Sequence, residues 1–360
     1  VDDNDNSRSA FPDDVVRYVD ARELEIPYWL MTYAELCDLL IDQTDYSAHN
    51  QTAVFKEALN SLRKEEGLKP ELGLKRVSLD TPVYFDLMKL RSMIEEKNGL
   101  VLNPKTQNMI KGPLTGAFDN FLMRLDSRLN DVRYDFLLKP KIRISSDTLS
   151  SMLRDFVGLG DPQRPVTVID LSSVPFDVRP TVAAQIGRLA FEFNYWNPQY
   201  REFPLMLICE EAHAYIPRER ASQYAGSRKS MERIAKEGRK YGVGLAVVSQ
   251  RPHEVSETVL AQCGTFLCLR ITNPSDQSYI RSLVPEAEQD LVNILAGLGR
   301  GEVMALGEAV PLPMRFRFYE PDPTPNSDDI DFYTQWKTGP DDIHVDRIVD
   351  NWRRQERKYK

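Results

Sequence analysis

The chain has 360 residues, enough for one large α/β domain with an inserted or appended module. With 42% hydrophobic and 28% charged residues it can bury a sizeable core beneath a solvated surface, which excludes a chain disordered throughout. A formal net charge of −8 and a sequence pI of about 5.3 exclude a simple basic DNA-binding module, whose surface would be positive.

Residues 1–10, VDDNDNSRSA, read as a loop, and with no Met at Val1 the polypeptide reads as trimmed or incomplete. Residues 15–19, VVRYV, form a short strand, and the IPYWLM run before Thr32 packs as an aromatic turn on a core. From Thr32 to about Ser151 the periodicity is helical. AELCDLLI repeats apolar residues at i, i+3, i+4 and i+7. NQTAVFKEALNSLRKEEG stops at Gly67, and a third helix starts at Thr81 with Pro82 in its first turn and stops at Gly99. TGAFDNFLMRLDSRLND is a fourth, and strands are scarce throughout.

After Pro162 the pattern changes to alternating strands and helices with nearly continuous apolar runs. In order these are RPVTVIDLSSVP, the helix from Thr181, FPLMLICEEAHAYIP, the basic helix RKSMERIAKEGRKYG, VGLAVVSQRP, the helix SETVLAQCG, TFLCLRITNP, the helix PEAEQDLVNILAGLG and the strand pair GEVMALGEAVPLPMRFRF. Such alternation predicts an α/β fold with a mainly parallel sheet covered by helices on both faces. The tail is a Pro- and Asp-rich linker followed by a charged docking helix. The division is 1–31, start of the core; 32–160, helical insertion module; 161–320, remainder of the core; 321–360, linker and docking helix.

Cys37, Cys209, Cys263 and Cys268 form no CxxC pair, and they read as reduced structural thiols. His213 and His253 lack partners at zinc-ligand spacing. No apolar stretch reaches the roughly 18 residues that span a bilayer, and no signal peptide opens the chain, so a cytoplasmic, soluble protein is expected.

Three stretches carry candidate chemistry. In LMLICEEAH a buried strand runs straight into Glu210 and Glu211, which puts two carboxylates past its C-terminal end, where open α/β sheets bind ligands. There Glu210 can hold Mg²⁺, through water because Glu is long, and Glu211 can polarise an attacking water. Two solvated acids at a strand end are the plain alternative. In GLAVVSQRP another buried strand ends at Gln250, which can hydrogen-bond a γ-phosphate or the attacking water, or can simply open a turn before Pro252. In EGRKYG the Gly-flanked Arg239 can reach a neighbouring subunit's phosphate with its planar fork, or can only offset the helix dipole together with Lys240. Arg218, Arg220, Arg228 and Lys229 follow the acidic strand and can touch DNA phosphates without reading sequence, or can be an exposed charged loop.

Taken together, the order strand–acids–helix–Arg–strand–Gln resembles the HerA and FtsK-like family of translocating ATPases, most closely HerA over residues 165–318. VTVIDLSSVP, PLMLICEEAHAYIP, IAKEGRKYGVGLAVVSQRP, LAQCGTFLCLRITNPSDQ and GEVMALGEAVPLP carry the likeness. The upstream ELEIPYWLMTYAEL is similar to the helical insertion of that family. The resemblance implies a RecA-like P-loop NTPase core with ATP and Mg²⁺ as cofactors. It implies Glu210 and Glu211 as Walker B acids and Gln250 as sensor. Arg239 becomes the finger acting in trans, with Lys240 or Arg251 as substitutes. It further implies a homo-hexamer on double-stranded DNA, working with a nuclease or other effector such as a sirtuin-like subunit, in DNA-end processing or defence against phage. A ring motor needs positive charge only on its pore loops, so an acidic total is compatible with it. Asn273 and Asp276, in ITNPSDQ, have no role the sequence alone supplies.

One departure is large: the string GxxxxGK[ST] does not occur in the 360 residues. Without that loop and its Lys, tight ATP binding by this stretch alone is not expected. The competing expectation is a catalytically incomplete motor domain that serves as an assembly scaffold.

Overall fold

The computed structural model describes residues 12, 14–20, 23, 25–102, 108–172, 174, 176–219, 225–320, 322, 332–339 and 343–354. The expected loop at residues 1–10 and the end of the tail helix lie outside the described residues. The class is α/β, with parallel pairs and many helices.

β1 (Val16–Asp20) pairs in parallel with β4 (Val166–Asp170), Val16 opposite Val166 and Asp20 opposite Asp170. Parallel strands need a long crossover. Here it includes α1 (Tyr33–Leu40), α2 (Ala48–Gly67), α3 (Leu87–Asn98), α4 (Asp119–Leu129), α5 (Asp135–Leu138) and α6 (Thr148–Phe156). α1 starts with a reciprocal cap. Thr32 accepts from the Glu35 amide, and the Glu35 carboxylate accepts from the Thr32 amide. α3 begins at Leu87 rather than at Thr81, because the Asp86 carboxylate accepts from the Met88 and Lys89 amides while residues 81–86 form no regular element. A short antiparallel pair, β2 (Leu100–Leu102) with β3 (Met109–Lys111), also lies in this region, where strands are expected to be scarce.

Trp29, Leu36, Phe55, Leu59, Leu90, Phe121 and Leu125 fill the core of this helical region. Arg63 is buried among them. Its guanidinium donates to the Met31 carbonyl at 2.6 Å, to the Trp29 carbonyl at 3.2 Å and to the Leu79 carbonyl. A buried cation is tolerated because carbonyl oxygens replace its water. Burial still pulls its pKa down to about 10.

α7 (Arg179–Trp196) follows β4 and joins two cores. Val182, Ile186, Leu189 and Ala190 pack into the helical core. Ala183 and Phe191 pack into a second core with Cys209, Met231, Ile234 and Val243. A helix apolar around much of its circumference is a helix buried on more than one side. Arg188 fixes its position by pairing with Glu35 at 3.0 Å.

β5 (Leu205–Cys209) pairs in parallel with β6 (Val243–Val247), Leu205 opposite Val243 and Cys209 opposite Val247. The crossover carries α8 (Ala225–Glu237). After the short α9 (Glu257–Leu260), β7 (Thr265–Cys268) pairs antiparallel with β8 (Glu302–Gly307), which pairs antiparallel with β9 (Met314–Arg317). The β8–β9 pair matches the expected strand pair, whereas β7 does not continue the parallel pattern. A short apolar run reads alike in either direction, so its partner had to come from the fold. Between them lie α10 (Pro274–Leu283) and residues Glu286–Gly297, which are wound as 3₁₀ turns instead of the α-helix expected. α11 (Phe332–Thr338) and α12 (Val345–Arg354) close the described chain. None of its helices is long and apolar enough to cross a membrane. The four cysteines are free thiols, and burial pushes Cys209 up to about 12.

Candidate functional site

β4, β5 and β6 each deliver a residue just beyond their C-terminal ends: Leu171, Glu211 and Gln250. These three line one pocket of about 390 Å³, together with Arg179, His213, Tyr215 and Arg251. Convergence beyond the carboxyl ends of parallel strands is the general ligand position of open α/β folds.

Glu211 turns the chain. Ala212 donates its amide to the Val248 carbonyl at 3.0 Å and is fully buried, so the chain must bend sharply between Cys209 and Ala212. Glu211 absorbs the bend in the left-handed region, at φ 45° and ψ 44°. A side chain there costs on the order of 1 kcal/mol, and such outliers concentrate at functional sites. Both carboxylate oxygens are engaged. Oε1 accepts from Gln250 Nε2 at 3.0 Å, and Oε2 lies 3.2 Å from His213 Nδ1. The same His213 nitrogen is 3.2 Å from Ser249 Oγ. Acid, amide and imidazole therefore make one polar cluster that ties the end of β5 to the end of β6.

Glu210, next in the chain, is exposed and does not line the pocket. Its carbonyl accepts from the Tyr215 hydroxyl, which burial and the nearby Cys209 hold well above the ordinary phenol range. Arg251 is exposed and pairs with Glu254 at 3.1 Å.

Arg239 and Lys240 are exposed on the 3₁₀ turn Gly238–Tyr241, which leads into the N-terminal end of β6. A five-residue strand spans roughly 16 Å. They therefore sit at the opposite end of the strand pair from Glu211 and Gln250, and this chain does not bring them into its own pocket.

The basic residues after β5 are engaged locally. Arg218 lies 3.5 Å from Glu257 and over the Tyr279 ring at 5.4 Å. Arg228 donates to the Glu219 carbonyl at 3.3 Å and lies 3.6 Å from Glu232. Lys229 lies near Asp38, whose carboxyl burial and the neighbouring Glu35 hold above the ordinary range, and its charge offsets only part of that rise. Arg220 lies outside the described residues.

Sequence reasoning passed over Arg179 and His213 as site residues. Arg179 opens α7 and donates to the carbonyls of Val174 at 3.0 Å and Ser172 at 2.9 Å, which fixes the guanidinium beside the pocket. The signal was an Arg-Pro at the first turn of a helix that follows a parallel strand, the place where such residues converge. A larger cleft of about 810 Å³ in the helical region is lined by Asp42, Arg124, Asp131 and Arg133. Arg124 pairs with Asp42 and Arg133 with Asp131, both at 2.6 Å, while Asp45 accepts from the Asn120 amide and Arg128 donates to the Leu39 carbonyl, so much of its charge is already engaged.

Among the described residues no group of three or more His, Cys, Asp or Glu is placed to hold a metal ion. Mg²⁺ asks for less than that. It commonly takes one or two carboxylates, water and phosphate oxygens, and the exposed Glu210 carboxylate offers oxygens of that kind.

The model of the family described as "Helicase HerA, central domain" matches residues 5–190, just over half of the chain. The DNA double-strand break repair helicase HerA of Pyrococcus furiosus is 44% identical over 117 residues, 32% of this chain and 21% of that protein. The protein of the same name from Sulfolobus acidocaldarius is 24% identical over 312 residues, 79% of this chain and 62% of that protein. The structure of VirB4 of Thermoanaerobacter pseudethanolicus covers 84% of this chain and 76% of its own, with a TM-score of 0.47 and 16% identity. The chain thus spans between about a fifth and about three fifths of the length of these two curated relatives.

Proposed function

The chain belongs to the family of HerA helicase central domains, and from that footing we propose that it is the catalytic part of an ATP-driven DNA translocase or helicase subunit. The observation that carries this reading is the pocket in which Glu211 meets Gln250 beyond the ends of parallel strands. Relatives named as DNA double-strand break repair helicases support DNA as the substrate.

In this reading Glu211 is the general base. Its carboxylate takes the proton of the water that attacks the terminal phosphate of ATP. The left-handed backbone aims it into the pocket, and the hydrogen bond from Gln250 limits its freedom, so little reorganisation remains at the moment of reaction. Gln250 holds the water or the phosphate oxygen with the same amide. Arg179 and Arg251 add positive charge beside the anionic substrate. Glu210, acting through water, would hold Mg²⁺, which would supply charge neutralisation at the phosphates. The loop that cradles the phosphates has no counterpart string in the 360 residues, so this chain supplies the water-activating side of the site.

Arg239, with Lys240 as its neighbour, serves the pocket of the adjoining subunit, since its own pocket lies at the far end of β6. That arrangement requires a closed ring, and a homo-hexamer on double-stranded DNA is the form we propose. Residues 32–160 are the helical insertion and 321–360 the docking tail. The effector is a nuclease or another enzyme, in DNA-end processing or defence against phage. Arg218, Arg220, Arg228 and Lys229 are the proposed DNA-facing residues, Arg218 exchanging its contacts with Glu257 and Tyr279 for phosphates.

Mixing tests the shared site. Full-length Arg239→Ala and Glu211→Gln subunits are each inactive in ATP hydrolysis, and mixed rings regain part of the turnover. Full activity of Arg239→Ala rings alone would contradict the assignment of the finger.

A further inference from the structure

Asp276 is 4% exposed in the first turn of α10, and its ordinary neighbour there, Asn273, already caps the helix by accepting from the Ser275 amide at 2.8 Å. The Asp276 carboxylate reaches out of α10 instead. Its Oδ1 accepts from the backbone amide of His253 at 3.2 Å and sits 2.6 Å from His253 Nδ1. One buried oxygen thus holds both the main chain and the ring of a single residue. His253 stands three residues after Gln250, and Pro252 and the Glu254 amide bond to the Arg251 carbonyl at 3.0 Å stiffen the link between them.

The other side of this loop is also tied. Ser256 donates its amide to the Ile216 carbonyl at 2.8 Å, and Arg218 donates its amide to the Glu254 carbonyl at 2.6 Å. Pro217 and Val255 form an antiparallel bridge. The segments that leave Glu211 and Gln250 are therefore stitched together, and the His253–Asp276 contact, beside Arg218 over the Tyr279 ring, anchors the pair to α10.

We propose that Asp276, acting through His253, is a positioning residue for the reaction: it holds the 250–254 loop so that Gln250 meets Glu211 in the pocket. The inference rests on the reading of that pocket as the ATP-hydrolysing centre. A buried carboxylate that accepts two bonds from one residue fixes it in translation and in rotation, which a helix-capping role does not require. It also gives ITNPSDQ a physical task the sequence alone did not supply.

Steady-state ATP hydrolysis by the full-length protein tests it, with Gln250→Ala as the reporting background. Asp276→Ala lowers kcat roughly tenfold with KM for ATP shifted less than about twofold, the pattern of a lost transition-state alignment. His253→Ala does the same, and the double variant is no worse than either single one, because the two act as a unit. Asp276→Asn keeps an acceptor oxygen and restores most of kcat. In the Gln250→Ala background Asp276→Ala adds less than about a twofold loss. An unchanged kcat in Asp276→Ala overturns the proposal. So does a loss of equal size with and without Gln250, which would mark a merely structural role. If Asp276→Ala yields too little folded protein, His253→Ala, at a half-buried position, carries the same comparison. Hydrolysis that survives Glu211→Gln defeats the underlying reading of the pocket instead, so the two failures are told apart.

Discussion

The helical region between β1 and β4 and the strand-ended region after α7 solve the same problem differently. The first gathers large side chains around one core: Trp29, Phe55, Leu59, Leu90 and Phe121 are almost fully excluded from solvent. The second is covered on one side. Met206 and Ile208, on one face of β5, remain 65% and 66% exposed, while Leu207 and Cys209 on the other face join the cores. The polar cluster at Glu211 lies at the end of that half-covered pair. The large aromatic core thus lies among the helices, while the candidate site lies on loops beyond a pair of strands with one exposed face.

The comparison breaks most readily at Phe55, which stacks on Tyr33 at 6.0 Å and packs on Phe121 at 5.8 Å. Phe55→Ala is expected to cost about 3–5 kcal/mol in a urea titration, through lost burial and the cavity left behind. A smaller effect is expected at Glu211, where strain and not packing is at stake. Glu211→Gly should be more stable than Glu211→Ala by about 1 kcal/mol in the same assay, because glycine accepts a φ of 45° without a Cβ penalty. Equal stabilities would show that the turn carries no strain. At the uncovered face, Ile208→Thr in the 360-residue chain should change stability by less than about 0.5 kcal/mol, as for an ordinary surface position. A larger loss would show that the face is covered.

Acid sharpens the contrast last. Asp42, held low first by the Thr44 hydroxyl, Asp45 by the Ser47 amide, Asp126 by Arg91 and Asp131 by Arg133 all sit in the helical region. In the later strands the lowered carboxyl is Glu302, by the Gly299 amide. A depressed carboxyl stabilises the fold above its unfolded value and loses that contribution as pH falls through its folded one. The helical region should therefore weaken below the ordinary Asp value of 3.8. Trp29 reports it, being fully buried while Trp196, Trp336 and Trp352 are exposed. With those three changed to Phe, the emission of Trp29 should shift red at lower urea in acid than at neutral pH. An unchanged midpoint would remove these carboxylates from the account.

How legible this was in the sequence depended on what each feature needs. The strands that lead to Glu211 and Gln250 are readable because a buried parallel strand is a continuous apolar run, and the polar residues after it mark its end. α3 was misplaced by six residues because Pro82 suits a first turn, while the stronger signal was the Asp86 cap. The antiparallel turn of β7, the left-handed backbone of Glu211 and the His253–Asp276 contact depend on partners 23 or more residues away or on local φ, and no pattern in a single sequence encodes them. Zinc-ligand spacing gives His213 no role, yet its position two residues past Glu211 lets one turn of 3₁₀ helix fold its ring back onto the carboxylate.

The most direct test is single-turnover ATP hydrolysis by full-length Glu211→Gln protein, with nucleotide binding measured on the same sample. The account predicts that the chemical step slows by roughly a hundredfold or more, as for loss of a general base, while ATP still binds. Hydrolysis at the wild-type rate would contradict it and take Glu211, and the pocket built around it, out of the reaction.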